Sequence, residues 1–403
     1  MTYGATGSEL PPVEDWVNDW DWLDDQWGTN AIEIWNDVRE QCPVASTERY
    51  GRAFMPVTME GVSQVARDTE SFSSIWVNVS RPDAPRIPAP PITSDPPDHQ
   101  GHRRLLLPAF NPKRVAELEP ALRSYCQSLA AGLEGKDVVD ASAEYSQHIP
   151  VHGICLLTGL PEADADLFRD WIHRNFQIAP RDNSVRKQVN DEMVSYVDEI
   201  LNDRLRNPVD DMLTEIANAE IEGEPVDWEL KVGYIRLLII AGIDTTWSAI
   251  GSGLWHFAQH PDQVARLVET DDNMLWDSAN EEVLRYYAPV TMGRKVIADT
   301  EVSGCPVHTG DQMLLTFPAA NHDPEAFDDP EEFQIDRARN RHVAFGLGVH
   351  RCVGSNLARL EMVVALQEWL RAFPNYRLDP EQETKWANGQ VRGPRYLPVQ
   401  LNS

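Results

Sequence analysis

Apolar and polar positions alternate at two periods along the chain, and the helical one dominates. From Ala31 to Gln41 the apolar residues Ile32, Ile34, Trp35 and Val38 suit a short helix, which Cys42-Pro43 must stop because a proline pushes its predecessor out of helical geometry. Alternation near Phe54 to Val57 predicts a strand. Between Arg81 and Pro97 seven prolines remove backbone donors and forbid regular helix, so a long loop joins two helical regions. Loops of that length inside compact domains are often functional. Helical patterns then run from His99 to about Phe257, broken near 132–135, 159–161, 179–180 and 223–225, where glycine and proline gather. The longest, from about Asp227 to Gln259, would extend roughly 50 Å, enough to cross the whole molecule. Alternation returns around Arg294 to Leu315 and Tyr396 to Gln400, with a helical pattern from Ser355 to Leu370 between them. This order predicts a mainly α fold with a small β portion. No repeat or low-complexity linker forces a boundary, so residues 1–403 read as a single domain. About residues 1–28 form an acidic, Trp-rich N-terminal extension, expected to wrap the surface.

Composition narrows the function classes. A formal charge of −29 over 403 residues repels phosphate backbones, which argues against nucleic acid and anionic membrane surfaces as partners. The longest apolar run, Leu237 to Ile243, is about a third of the ~20 residues a membrane span needs. The first residues show no basic region followed by an apolar stretch, so the expected location is the cytoplasm. Five cysteines (Cys42, Cys126, Cys155, Cys305, Cys352) at wide, irregular spacings imply no disulfide framework and no Cys-x-x-Cys metal pair.

Four stretches carry chemistry. In Phe345-Gly346-Leu347-Gly348-Val349-His350-Arg351-Cys352-Val353-Gly354 the glycines let the backbone bend where a side chain would collide with a flat cofactor. Cys352 stands at the start of the following helix, whose free N–H groups favour a thiolate. At the centre of the long helix, Ala241-Gly242-Ile243-Asp244-Thr245-Thr246 sets small residues beside an acid and an alcohol, which supply hydrogen bonds and a proton route. Glu282 and Arg285 share one helix face at i,i+3. Finally, in Asp95-Pro96-Pro97-Asp98-His99-Gln100-Gly101-His102-Arg103-Arg104 a loop turns into a helix, with His99 and Arg103 four apart on one face.

The first of these stretches resembles the haem-binding signature of the cytochrome P450 family, Phe-Gly-x-Gly-x-x-x-Cys-x-Gly, at every fixed position. The four matches span residues 95 to 354 in the family's order. The resemblance implies that the fold is the P450 fold, with haem b between the long central helix and the cysteine-loop helix. It also implies that Cys352 is the thiolate ligand to the iron, favouring O–O cleavage. Ala241, Phe345 and Gly354 would flank the haem, and His99, Arg103, Arg294 and His350 would face its propionates. It further implies that Thr245 orients dioxygen while Asp244 helps deliver protons, and that Glu282, Arg285 and Arg337 form a structural ionic triad. Trp76, Leu237, Ile240, Val290, Met292, Gln390 and Val391 would line the substrate pocket, and their mostly apolar character favours a small hydrophobic substrate.

The implied reaction is insertion of one oxygen atom from O2, giving hydroxylation, dealkylation or epoxidation, with NAD(P)H-derived electrons from a separate ferredoxin and ferredoxin reductase. Arg104, Arg341 and Arg351 are candidates for a basic docking patch on an otherwise acidic protein, expected to act as a monomer. A peroxygenase using H2O2 and a non-catalytic haem sensor are the alternatives. The Asp244-Thr245 pair argues against the first, and the second has no need of it.

Overall fold

The computed structural model describes residues 10–80, 87–270 and 272–401. The start of the proline-rich loop (81–86) and the first nine residues lie outside the described residues. The helices that frame the interior are α1 (Ala31–Gln41), α2 (Asp98–Leu106), α3 (Glu119–Ala131), α4 (His148–Thr158), α5 (Asn183–Arg206), α6 (Trp228–Phe257), α7 (Asn273–Tyr286) and α8 (Ser355–Ala372). Five strands form the main sheet: β1 (Val44–Thr47), β2 (Ala53–Pro56), β3 (Phe72–Ser73), β4 (Met292–Val296) and β5 (Gln312–Leu315), in the spatial order β1-β2-β5-β4-β3. The β5–β2 pair is parallel and the others are antiparallel.

Helix α6 is apolar almost all round, and such a helix must be buried. It packs against α4, α5, α7 and α8. Among the described residues it is the helix long and apolar enough to cross a membrane, but 72% of its most apolar window lies inside the protein. Gly242 makes the crossing with α4 possible: a Cβ there would stand 2.4 Å from Ile154 Cδ1. The same residue faces the interior cavity, so its small size serves helix packing as well as access.

Behind the site, Glu282 and Arg285 of α7 are wholly buried, and Arg337 nearly so. Arg285 Nε and Nη2 donate to Glu282 at 2.9 and 2.8 Å, and Arg337 Nε reaches both carboxylate oxygens at 3.1 Å. One carboxylate cannot neutralise two guanidiniums. The remaining N–H groups are taken by backbone carbonyls of Asn321, Pro330 and Glu332 around Arg285, and of Asp328, Asp329 and Glu332 around Arg337. The irregular 321–337 segment is thus pinned to α7, as burial of unpaired charge would otherwise forbid.

The Trp-rich stretch is a correction to the expected extension. Trp20, Trp22 and Trp27 are buried with Trp35, Tyr50, Met55 and Leu314 in one apolar cluster. Large indoles gain too much from burial to lie over the surface. The acidic residues between them turn outward or accept backbone bonds, as Asp24 does from Gln26 at 2.9 Å.

Candidate functional site

Two backbone devices shape the loop that carries the cysteine. Gly346 and Gly348 adopt positive φ (70° and 68°), and the Cys352 N–H donates to Phe345 O at 2.8 Å, closing the loop. Helix α8 begins at Ser355, three residues beyond Cys352, so the thiol faces a free helix end from just outside it. Cys352 has exposed surface because it lines an interior cavity, while protein crowds it on its other sides. Burial raises its pKa; the Gly354 N–H and the charges of Arg103, Arg351 and Arg359 pull the other way. Of the other cysteines, Cys126 and Cys155 are buried, and burial pushes both thiols up to about 12.

The cavity has a volume of about 370 Å³. It brings together nearly every residue singled out from the sequence: His99, Arg103, Ala241, Thr245, Arg294, Phe345, His350, Cys352 and Gly354, with Trp76, Leu237, Ile240, Val290, Met292, Gln390 and Val391. Strand β4 delivers Arg294, paired in register with Met313 of β5. Beside it, Gly293 lets the 75–80 segment close on the sheet, for a Cβ there would lie 2.6 Å from the Asn78 carbonyl carbon, and Gly293 N–H donates to Val77 O at 2.6 Å. Residues 290 and 391 form a β-bridge, and Thr291 N–H donates to Gln390 O at 3.0 Å, which holds the opposite wall.

Asp244 stands apart from the rest. Its carboxylate turns away from the cavity and meets Arg395 Nη2 at 2.9 and 3.0 Å, fully buried. Burial raises its pKa to about 6, with the Arg395 charge acting to lower it. Nothing in the sequence announces Arg395, 151 positions away. Thr245 does face the cavity, and its Oγ1 donates to Ala241 O at 2.8 Å. The hydroxyl proton is thereby occupied, and the oxygen is left as an acceptor toward the cavity.

On one side of Cys352 four basic groups converge. His99 and His350 rings stand 4.4 Å apart; both His99 nitrogens and His350 Nε2 are buried without a hydrogen-bond partner among the described residues. Burial lowers the pKa of His350 to about 3, and Arg294, His99 and Arg103 add repulsion. Burial likewise lowers Arg294 to about 10. Such a cluster is unfavourable alone and suits a ligand that brings negative charge.

A profile of the cytochrome P450 family matches residues 160–390. The chain belongs to the cytochrome P450 family. It is 33% identical over 312 residues to cytochrome P450 CYP107DY1 of Priestia megaterium, covering 76% of each chain. With the mycinamicin IV hydroxylase/epoxidase of Micromonospora griseorubida it shares 30% over 315 residues, 76% of this chain and 79% of that one. A solved structure of a mutant of P450 EryK in complex with erythromycin B matches at TM-score 0.84 and 30% identity, covering 93% of this chain and 97% of that one. The enzyme is a cytochrome P450 monooxygenase, and the family carries haem.

The cavity fits that group. Haem is flat, needs one axial donor and carries two carboxylates. Cys352 would supply the donor, Gly346 and Gly348 turn the loop at positive φ, and His99, His350, Arg103 and Arg294, which line the same cavity, would answer the carboxylates. Arg103→Ala should therefore release haem about tenfold faster, since a buried carboxylate would lose a charge-assisted partner. Transfer to apomyoglobin would measure it; an unchanged rate would make Arg103 irrelevant to retention.

Proposed function

We propose that this P450 inserts one atom of dioxygen into a largely apolar organic substrate held in the cavity, using haem b and NAD(P)H-derived electrons passed on by a ferredoxin and its reductase. The observation that carries the reading is a single cavity faced by Cys352 and Thr245, with a buried acid one residue away on the same helix. When bound, haem supplies the activation of dioxygen, whose second atom leaves as water after two electrons and two protons arrive.

The chain's own residues supply what surrounds that chemistry. Cys352, as the thiolate, donates electron density. The Thr245 oxygen accepts a hydrogen bond from a water in the cavity and so fixes where a proton is offered. Asp244, with a pKa near 6, holds and gives up protons close to neutral pH, while Arg395 keeps its carboxylate turned inward between transfers. Leu237, Ile240, Val290, Met292 and Val391 keep bulk water out, which limits proton leakage. Arg104, Arg341 and Arg351 are exposed, which supports the cysteine side as the docking face for an acidic ferredoxin in the cytoplasm, with the enzyme acting as a monomer. The cavity-facing Thr245 favours O2 over H2O2 as the oxygen source.

Reconstitution with a ferredoxin, its reductase, NADH and isotopically labelled O2 tests the proposal. Labelled product supports it, and product that forms with H2O2 but never with O2 and carriers overturns it. The pH profile adds a second check. Asp244 should be ionised above about pH 6 and protonated below it, so turnover should fall on the acid side with an inflection near 6. Asp244→Asn should lower turnover overall and remove that inflection; a variant that retains it would assign the titration elsewhere.

A further inference from the structure

Two guanidiniums face the same cavity without a carboxylate partner among the described residues. Arg186 projects from α5 and Arg236 from α6. Arg236 is buried. Its Nη1 donates to Asn190 Oδ1 at 2.9 Å and its Nη2 to Pro88 O at 2.6 Å, both neutral acceptors that orient the fork without cancelling its charge. Asn190 lies one turn beyond Arg186 on the same helix face, so the three side chains are contiguous. Arg186 Nε is buried without a hydrogen-bond partner among the described residues. Among the described residues neither arginine has a carboxylate within 4 Å; Glu229, whose charge acts on Arg236, is exposed two turns earlier on α6.

The cavity's charges can be assigned one by one. Its lining cations are Arg103, Arg186, Arg236, Arg294 and Arg351, and among the described residues its one lining carboxyl is Glu361. Glu361 is deeply buried on α8, and burial drives its pKa well above the usual carboxylate range, with Thr246 acting to lower it. Bound haem would bring two carboxylates, which Arg103 and Arg294 would meet together with the two histidines. Arg351 lies beside the Cys352 thiolate. Arg186 and Arg236 are left over, desolvated, in a cavity that Phe176, Val189, Met193, Leu237 and Ile240 also line. Burying a cation without a counter-charge is costly, and a planar guanidinium pair beside an amide is the arrangement that receives a carboxylate.

We propose that the substrate is an amphipathic carboxylic acid, its carboxylate held by Arg186, Asn190 and Arg236 and its apolar body extending toward Cys352. This rests on the cavity being the place of oxygenation. Arg236 precedes Thr245 by nine residues, about 13 Å along the helix axis. The oxidised carbon therefore lies near the end remote from the acid.

The test uses the haem-loaded enzyme and graded n-alkanoic and 4-alkylbenzoic acids, each beside its methyl ester and primary amide, at a pH where the acids are ionised. Binding is read by calorimetry and by the spin-state change. At the best-fitting length the acid should bind at least about tenfold more tightly than its ester, and Arg186→Met should bring it down to the level of the ester. Arg236→Met should act likewise, but it also breaks two described hydrogen bonds, so Arg186→Met is the decisive variant. If no acid binds more tightly than its ester, or if Arg186→Met keeps the preference, the proposal falls. Oxygenated product from the neutral compounds alone would then leave the monooxygenase reading standing, whereas bound compounds that yield no product with carriers and O2 would sink that reading instead.

Discussion

Cys352→His is expected to eliminate oxygenation, by at least about a hundredfold, while leaving a folded protein that still takes up haem. The pocket on that side is built by backbone: the positive φ of Gly346 and Gly348 and the Cys352 N–H to Phe345 O bond do not depend on the sulfur. The four basic groups that line the cavity, His99, Arg103, Arg294 and His350, are untouched. What changes is the donor, from an anionic, polarisable sulfur to a neutral ring nitrogen, which lowers the electron density available for O–O cleavage. The carbon monoxide difference spectrum should lose its thiolate-type Soret band. An unchanged band in the variant would remove Cys352 from the ligand role, and no other cysteine among the described residues lines the cavity to replace it.

Thr245→Ala is expected to separate electron consumption from product. The Thr245 hydroxyl donates backward to Ala241 O, which leaves its oxygen as an acceptor over the cavity. Alanine removes that acceptor and the water it fixes, so protons arrive without direction. NADH use should continue at a comparable rate once substrate and carriers are present, while product falls several-fold and hydrogen peroxide rises to match the difference. Substrate affinity should change little, because one hydroxyl and one methyl are lost. The Asp244→Asn defect is of another kind, a slower turnover with a changed pH profile. Product, peroxide and NADH measured together distinguish the two, and coupling in Thr245→Ala equal to that of the parent would refute the role given to this position.

Local chemistry made much of the site legible in advance. The cysteine loop is readable because glycines, cysteine and helix start are consecutive. Helix α1 ends at Gln41, as Cys42-Pro43 requires, and α6 spans Trp228–Phe257 within the expected 227–259. Interactions between distant segments were not legible. No spacing links Asp244 to Arg395, and the π-helical turns at Ser142–Ser146 and Arg174–Ile178 leave no periodic trace. A signal for Arg236 did exist, a lone cation within the apolar run Tyr234 to Ile243, but α6 had to be placed against α5 before Arg186 and Asn190 could join it. The acidic residues among the N-terminal tryptophans mask a core segment, because a high density of charge looks like solvent-exposed chain while the indoles beside it bury.

That N-terminal segment is also sewn to the opposite end of the chain. Gly389 N–H donates to Trp22 O at 2.7 Å, Asn388 Nδ2 to Leu23 O at 2.8 Å, and Arg392 Nε to Gly28 O at 2.9 Å, on either side of Gln390 and Val391. The cavity wall at Gln390 and Val391 is therefore braced by residues that an engineer trimming the amino terminus would discard first. A ladder of deletions through residues 20–28 is in effect a series of active-site variants, and shifts in product profile along it would report how firmly that seam grips the cavity wall.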